Sequence, residues 1–125
     1  MFKMGSIFVV FIGGGLGAVL RYLIGKSTLL VYGGVFPIGT LLANLISCLI
    51  VSLLFFAFND SKALTDQSKL FLVVGLCGGL STFSTFSIET FELLKNGQFY
   101  WAVFNILLSI VLCLLIIYLI SKKAM

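Results

Sequence analysis

The sequence is poor in the side chains that most often perform catalysis. It contains no histidine, and its acidic residues number four: Asp60, Asp66, Glu89 and Glu92. Histidine and carboxylates supply most general acids, general bases and metal ligands in proteins. We therefore do not expect an enzyme, and no cluster of side chains has the spacing of a metal site.

Cysteine and charge are also scarce. The three cysteines, Cys48, Cys77 and Cys113, all fall inside hydrophobic stretches, and their odd number argues against a disulfide framework. We interpret them as small apolar residues. Charged residues make up 10% of the chain, and the net charge of +4 is scattered over the ends of loops. Such scattered charge does not indicate nucleic-acid binding.

What the chain has in abundance is apolar surface, which amounts to 61% hydrophobic residues with a mean hydropathy of +1.24. A spanning helix needs about 20 mostly apolar residues, and four such stretches occupy residues 4–24, 36–58, 68–94 and 99–120. The first stretch is too long for a signal peptide and lacks a cleavage pattern. The sequence therefore predicts one all-α transmembrane domain of four helices over residues 1–125.

The loop charges give only a weak signal for orientation. With four spans, both termini lie on one side of the membrane together with the middle loop. That side carries five basic residues and the other side three: Lys3, Lys62, Lys69, Lys122 and Lys123 against Arg21, Lys26 and Lys95. This bias is small for the positive-inside rule, so insertion in both orientations remains open.

Polar residues inside the predicted spans recur on single helical faces. Thr40, Asn44 and Ser47 share one face of the second span, and Asn105 and Ser109 share one face of the fourth. Such groups either hydrogen-bond between helices or line a polar pathway. The presence of two asparagines, Asn44 and Asn105, on these faces favours a polar pathway.

The first span combines small residues with one arginine. Small residues four apart at Gly13/Gly17 and Gly14/Ala18 indicate close helix packing. Arg21 lies near the predicted end of the span, where it could extend to the lipid headgroups or attract anions into a vestibule.

The third span has an unusual centre. Residues 75–87 contain the pair Gly78 and Gly79 together with five hydroxyl residues. Glycine loosens a helix and hydroxyl side chains compete for its backbone bonds, so we expect a break near residues 78–81. Non-helical backbone at membrane depth is tolerated where it is buried in protein or lines a cavity, and its free carbonyls can coordinate a cation.

Two phenylalanines follow this predicted break. Phe83 and Phe86 are three residues apart and so project from one helical face. Aromatic rings have electropositive edges, which can contact an anion without a fixed positive charge. The alternative is that both rings simply fill apolar space.

These motifs together resemble the Fluc (CrcB) family of microbial fluoride ion channels over nearly the whole chain. The resemblance is carried by residues 13–18 followed by Arg21 and Tyr22, by residues 37–44, and by residues 75–86. The last of these contains the run Ser-Thr-Phe-Ser-Thr-Phe. That run, in the third span and with the other two motifs in order, is a very specific signal.

The resemblance implies passive export of cytoplasmic fluoride by a dual-topology homodimer, in which two antiparallel copies form two anion pathways across an inner (plasma) membrane. It implies that Phe83, Phe86 and Asn44 line the pathways and that Arg21 matches an arginine at the vestibule. A structural Na⁺ at the dimer centre would bind the backbone carbonyls of Gly78 and Ser81. The remaining residues that match the polar lining are Thr40, Ser84, Thr85, Glu89 and Ser109.

Two other functions compete with this interpretation. A small multidrug-resistance exporter also has four short helices, but that class uses a carboxylate in its first span and this first span has none. A non-transporting subunit of a larger membrane complex is the second alternative.

Overall fold

The computed structural model describes residues 3–58 and 64–124 of the chain. Within these ranges all regular structure is helical, and no β-strand occurs. Four helical stretches are long and apolar enough to cross a membrane: Met4–Val31, Ile38–Phe56, Asp66–Lys95 and Phe99–Ala124. The predicted all-α architecture with four spans is therefore confirmed.

The helices are named in chain order. Helix α1 is Met4–Val31, and α2 is Ile38–Ser52, which continues as a π-helix over Leu53–Ala57. The third span has two parts. Its first part, α3, joins Asp66–Lys69, the π-helix Leu70–Cys77 and Gly78–Leu80. Its second part, α4, is Phe83–Lys95, and α5 is Phe99–Ala124.

The first helix is longer than the sequence predicts, since it continues past residue 24 to Val31. Gly25 does not end it, because an isolated glycine inside a helix costs only about 1 kcal/mol. The side chain of Thr28 bonds the Gly25 carbonyl at 2.9 Å. The chain leaves the helix at Tyr32 and turns through the glycine pair to Pro37, the N-cap residue that precedes α2.

The remaining two connections are the one that leads into α3 and the one between α4 and α5. The predicted joint at 59–67, with Asp60 and Lys62, lies mostly outside the described residues, and α3 begins at Asp66 behind the capping hydroxyl of Thr65. Between α4 and α5, Gly97 has a φ of 73°. The neighbouring N–H of Gln98 bonds the Leu93 carbonyl at 2.8 Å, which is a Schellman ending.

Helices α1 and α3 touch at their backbones through glycines. A Cβ added to Gly13 would lie 2.6 Å from the carbonyl oxygen of Phe71, and one added to Gly75 would lie 2.9 Å from the Cα of Gly13. A Cβ on Gly79 would lie 3.0 Å from the Ala18 nitrogen. The interpretation of these small residues as a packing surface is therefore confirmed.

The interior of the chain is small and the exterior is apolar. Buried apolar residues include Leu41, Ala43, Cys77, Leu80 and Leu93. Many large apolar side chains are exposed on α1 and α5, such as Phe8, Phe11, Leu30, Leu107 and Leu114. This arrangement suits a bilayer, since lipid tails are as apolar as the side chains that face them.

Candidate functional site

The third span is interrupted between α3 and α4. Leu80 ends α3, Ser81 and Thr82 have extended backbone with ψ of 153° and 118°, and Phe83 starts α4. Gly78 and Gly79, on which the predicted break is based, are themselves helical. The chain leaves the helix after Leu80. Thr82 is the N-cap of α4, since its hydroxyl accepts the N–H of Thr85 at 3.2 Å.

Two carbonyls of α3 near this interruption are held by side chains of other helices. The Cys77 carbonyl accepts the hydroxyl of Ser47 at 3.0 Å as well as that of Ser81 at 2.8 Å. The Gly79 carbonyl accepts the Nε of Arg21 at 3.1 Å. By contrast, no donor among the described residues bonds the carbonyl oxygens of Gly78 or Ser81.

Arg21 therefore has a different setting from the one predicted. The sequence places it near the end of the first span, but α1 continues ten residues beyond it to Val31. Its side chain is half-buried and turns toward α3 rather than along the helix. The reason is the glycine surface of α3, which leaves the Gly79 carbonyl accessible to a guanidinium N–H.

Asn44 holds the interrupted backbone in place. Its Oδ1 accepts the N–H of Thr82 at 2.8 Å, and its Nδ2 donates to the Thr82 carbonyl at 3.4 Å. One side-chain amide thus satisfies both backbone groups of a residue that has left the helix. Thr40, one turn earlier on α2, donates to Oε1 of Glu89 at 2.8 Å, so the predicted polar face of α2 lies along α3 and α4.

A surface groove of about 300 Å³ brings together several of the predicted site residues. The Phe83 and Phe86 ring centroids are 5.8 Å apart, so the two rings lie on one side of α4, as their spacing predicts. Phe83 is 81% exposed in the single chain. The residues that line the groove are Asn44, Cys48, Ser81, Thr82, Phe83, Phe86, Ser109, Ile110 and Cys113.

A second cavity, of about 240 Å³, lies on another side of α4. Arg21, Thr40, Thr85 and Glu89 all contribute to its lining. Oε1 of Glu89 accepts the Thr40 hydroxyl, whereas Oε2 is buried and has no hydrogen-bond partner among the described residues. The structure thus divides the predicted polar residues between two cavities.

Ser84 and Asn105, two polar residues singled out in the sequence, line neither of these two cavities. Ser84 is exposed, and its hydroxyl lies 3.2 Å from that of Thr82. Asn105 is 1% exposed and donates to Thr90 at 2.9 Å, while the Ser109 hydroxyl donates to Asn105 at 3.4 Å. Asn105 therefore joins helices α4 and α5, as the packing interpretation of buried polar groups predicts.

Four residues of the groove were not assigned to the site by sequence reasoning: Cys48, Thr82, Ile110 and Cys113. Thr82 caps α4 and pairs with Asn44, and a hydroxyl directly before a helical run was the signal that could have identified it. Cys48 and Cys113 both line the groove from facing helices. Their 65-residue separation gives no local signal that they meet.

Comparison with known proteins identifies the family of this chain. The family model for "CrcB-like protein, Camphor Resistance (CrcB)" matches residues 8–120. A fluoride-specific ion channel FluC of Clostridium perfringens is 41% identical over 124 residues, which is 99% of this chain and 97% of the relative. The FluC of Shewanella pealeana is 40% identical over 116 residues, 93% of each chain. This chain therefore belongs to the CrcB family, whose relatives include fluoride-specific ion channels.

Proposed function

We propose that this protein is a fluoride-selective ion channel that lets fluoride leave the cell passively. The observation that carries the proposal is the groove in which α4 presents Phe83 and Phe86 beside Asn44, in a chain whose relatives are fluoride-specific channels. Fluoride enters cells as the neutral acid, dissociates, and then leaves through the channel as the ion.

The groove offers weak contacts rather than a fixed positive charge. Ring edges are electropositive, and the N–H groups at the start of α4 attract anions. Conduction requires binding that is favourable enough for entry and weak enough for exit. Among the residues that line the groove, none is basic, so fluoride is not trapped there. Arg21 and Lys26, in the second cavity, would attract fluoride toward the protein.

Each polar residue then has a role that follows from its contacts. Asn44 positions the start of α4 through Thr82, so that Phe83 and Phe86 face the anion. Thr40, Thr85 and Glu89 continue the polar lining in the second cavity, Ser109 contributes to the groove, and Ser84 is exposed near Thr82. Glu89 would contribute through its hydrogen bond with Thr40, since an ionised carboxylate facing the path would repel an anion.

We further propose that two copies assemble antiparallel as a homodimer in an inner membrane. A ring as exposed as Phe83 cannot replace the hydration shell of an anion unless something covers the groove. A second copy would supply that wall, and the nearly balanced loop charges permit opposite insertion.

Dual topology predicts that the C-terminal tail lies on both sides of the membrane in one cell population. A single cysteine added after Met125, in a background without the native cysteines, should react about half with an impermeant maleimide in intact cells. Lysed cells provide the full signal for comparison. Labelling that is complete or absent in intact cells would show that every copy has the same orientation.

A structural Na⁺ is proposed at the dimer centre. Gly78 and Ser81 present carbonyls that accept no hydrogen bond from the described residues, and oxygen ligands of this kind suit a hard cation. The ion would offset the repulsion between two nearby fluoride pathways. An experimental structure of the dimer in sodium that shows no density between these carbonyls would contradict the site.

Fluoride efflux from liposomes tests the main proposal. Vesicles that contain the purified protein and are loaded with potassium fluoride should release it when valinomycin is added, as read by a fluoride electrode. Vesicles loaded with chloride should release little, and protein-free vesicles control for leakage. Equal release of both anions would contradict selectivity.

Two alternatives predict different results in the same vesicles. A multidrug exporter would take up a cationic dye in exchange for protons, whereas α1 carries no acidic side chain for that exchange. A non-transporting subunit would release neither anion.

A further inference from the structure

The groove contains a pair of thiols with no role in the proposed anion path. Cys48 of α2 and Cys113 of α5 both line it, both are free and half-buried, and the two thiols are close enough to interact electrostatically. They come from opposite walls of the groove. The chain therefore brings two sulfur ligands from two helices into one groove.

The thiol pair adjoins the anion-path residues directly. Cys48 lies one helical turn after Asn44 on α2, and Cys113 lies one turn after Ser109 on α5. Asn44 and Ser109 both line the same groove. An ion held by the two thiols would therefore lie about 5 Å, one helical pitch, from the level of Asn44.

The number of ligands limits which metals fit. No group of three or more histidine, cysteine or acidic side chains occurs in the described part of the chain that could hold a metal. A site with two sulfurs alone does not satisfy the four-coordinate preference of zinc. Thiolates instead select soft ions, and Ag⁺ and Cu⁺ readily take two sulfur ligands in line.

We propose that Cys48 and Cys113 form a two-thiol site for a soft monovalent cation of the Ag⁺ and Cu⁺ class, and that an ion bound there obstructs the groove. The metal site itself does not depend on the proposed function, whereas the obstruction of the groove rests on it. On binding, each thiol releases its proton to solvent and two metal–sulfur bonds form. No electrons are exchanged.

Obstruction has both a steric and an electrostatic cause. The bound metal would lie inside a groove of about 300 Å³ that residues of α2, α4 and α5 line, and would narrow it. Two thiolates and one monovalent cation also leave a net charge of −1. Next to a path that carries anions, in surroundings of low dielectric constant, that charge disfavours fluoride.

Silver binding tests the site on the purified protein. We expect one Ag⁺ per chain by native mass spectrometry, in chloride-free buffer with excess glutathione. A single thiol cannot hold the ion against that competitor, so Cys48→Ala and Cys113→Ala should each retain none. Cys77→Ala is the matched control, because Cys77 is 2% exposed and does not line the groove. Wild-type protein without bound silver, or silver retained by both variants, would overturn the site.

A second measurement uses the unaltered chain, so it does not depend on how the variants fold. Silver should protect Cys48 and Cys113 together from alkylation in peptide maps of the wild-type protein. Protection of only one of the two cysteines, or of neither, would contradict a shared ion.

Fluoride efflux then tests the obstruction. Ag⁺ should slow efflux from wild-type vesicles at least about tenfold, dithiothreitol should restore it, and the ratio of rates with and without Ag⁺ should be near one in Cys48→Ala and Cys113→Ala. If silver binds but wild-type efflux is unchanged, the obstruction is wrong. If wild-type protein binds silver yet passes no fluoride in any condition, the proposed function fails while the thiol site stands.

Discussion

Replacement of Gly17 by alanine should prevent the chain from folding into a stable assembly. A Cβ at this position would meet the Leu76 carbonyl oxygen and would lie 2.8 Å from the Leu80 nitrogen. Both are backbone atoms of α3, so no side chain can rotate away to make room. The two helices would have to separate along the surface that also contains Gly13 and Gly79.

The expected loss of stability exceeds that of an ordinary core change. Overpacking typically costs about 1–3 kcal/mol, and separation of α1 from α3 adds the loss of the close contacts along their whole interface. It also moves Gly79 away from Arg21, which breaks a hydrogen bond of 3.1 Å. We expect Gly17→Ala to run as an aggregate in size-exclusion chromatography, with a much lower yield than wild type.

Gly15→Ala is the matched control on the same helix. A Cβ at Gly15 would meet no atom within 4 Å, and alanine has a better helix propensity than glycine by about 1 kcal/mol. This variant should therefore elute like wild type and unfold at an equal or higher temperature. If Gly17→Ala also elutes as wild type with an unchanged unfolding temperature, the contact between α1 and α3 is looser than the structure shows.

The sequence predicts the helices well because each of them is a long apolar run. Length and hydropathy alone identify four spans, and they match the four helical stretches of the structure. The end of α1 was missed because Gly25 and Lys26 look like a loop, although a helix accepts one glycine and one charge near its end. Gly39 of α2 packs closely against this part of α1, since a Cβ on Gly39 would lie 3.0 Å from the Gly25 Cα.

The site was less accessible to sequence reasoning, since its contacts join distant residues. The shared face of Phe83 and Phe86 follows from helical spacing, and the structure agrees with it. The pairing of Asn44 with Thr82 joins residues 38 apart, and that of Arg21 with Gly79 joins residues 58 apart. Periodicity identifies which residues share a face of one helix but not which helix that face meets. Contacts of this kind depend on how the glycine surfaces bring the helices together.

The proposed pathway role of the two rings predicts a loss of transport without a loss of folding. Phe83→Ile and Phe86→Ile each keep a large apolar side chain, and a roughly volume-conserving change costs less than about 1.5 kcal/mol. Phe83 is mostly exposed in the single chain, so little packing within the chain depends on it. Both variants should therefore elute like the wild-type protein.

Isoleucine lacks the electropositive ring edge that would replace water around fluoride. An aromatic edge contact is worth about 0.5–1.5 kcal/mol, and each 1.4 kcal/mol corresponds to about a tenfold change. We therefore expect fluoride efflux from liposomes to fall by between about twofold and about tenfold in each variant. Phe83→Met and Phe86→Met should retain more activity, because the flexible and polarizable methionine side chain adapts better to the site.

The control for this pair is an exposed phenylalanine on the outer surface of α1. Phe11 is 77% exposed, about as much as Phe83, and lines neither of the two cavities that contain the site residues. Phe11→Ile should transport like wild type, which would show that loss of a ring is harmful only in the groove. The decisive comparison sets the efflux rate against the elution profile of the same preparation. Full transport by well-folded Phe83→Ile and Phe86→Ile proteins would mean that both rings only fill apolar space.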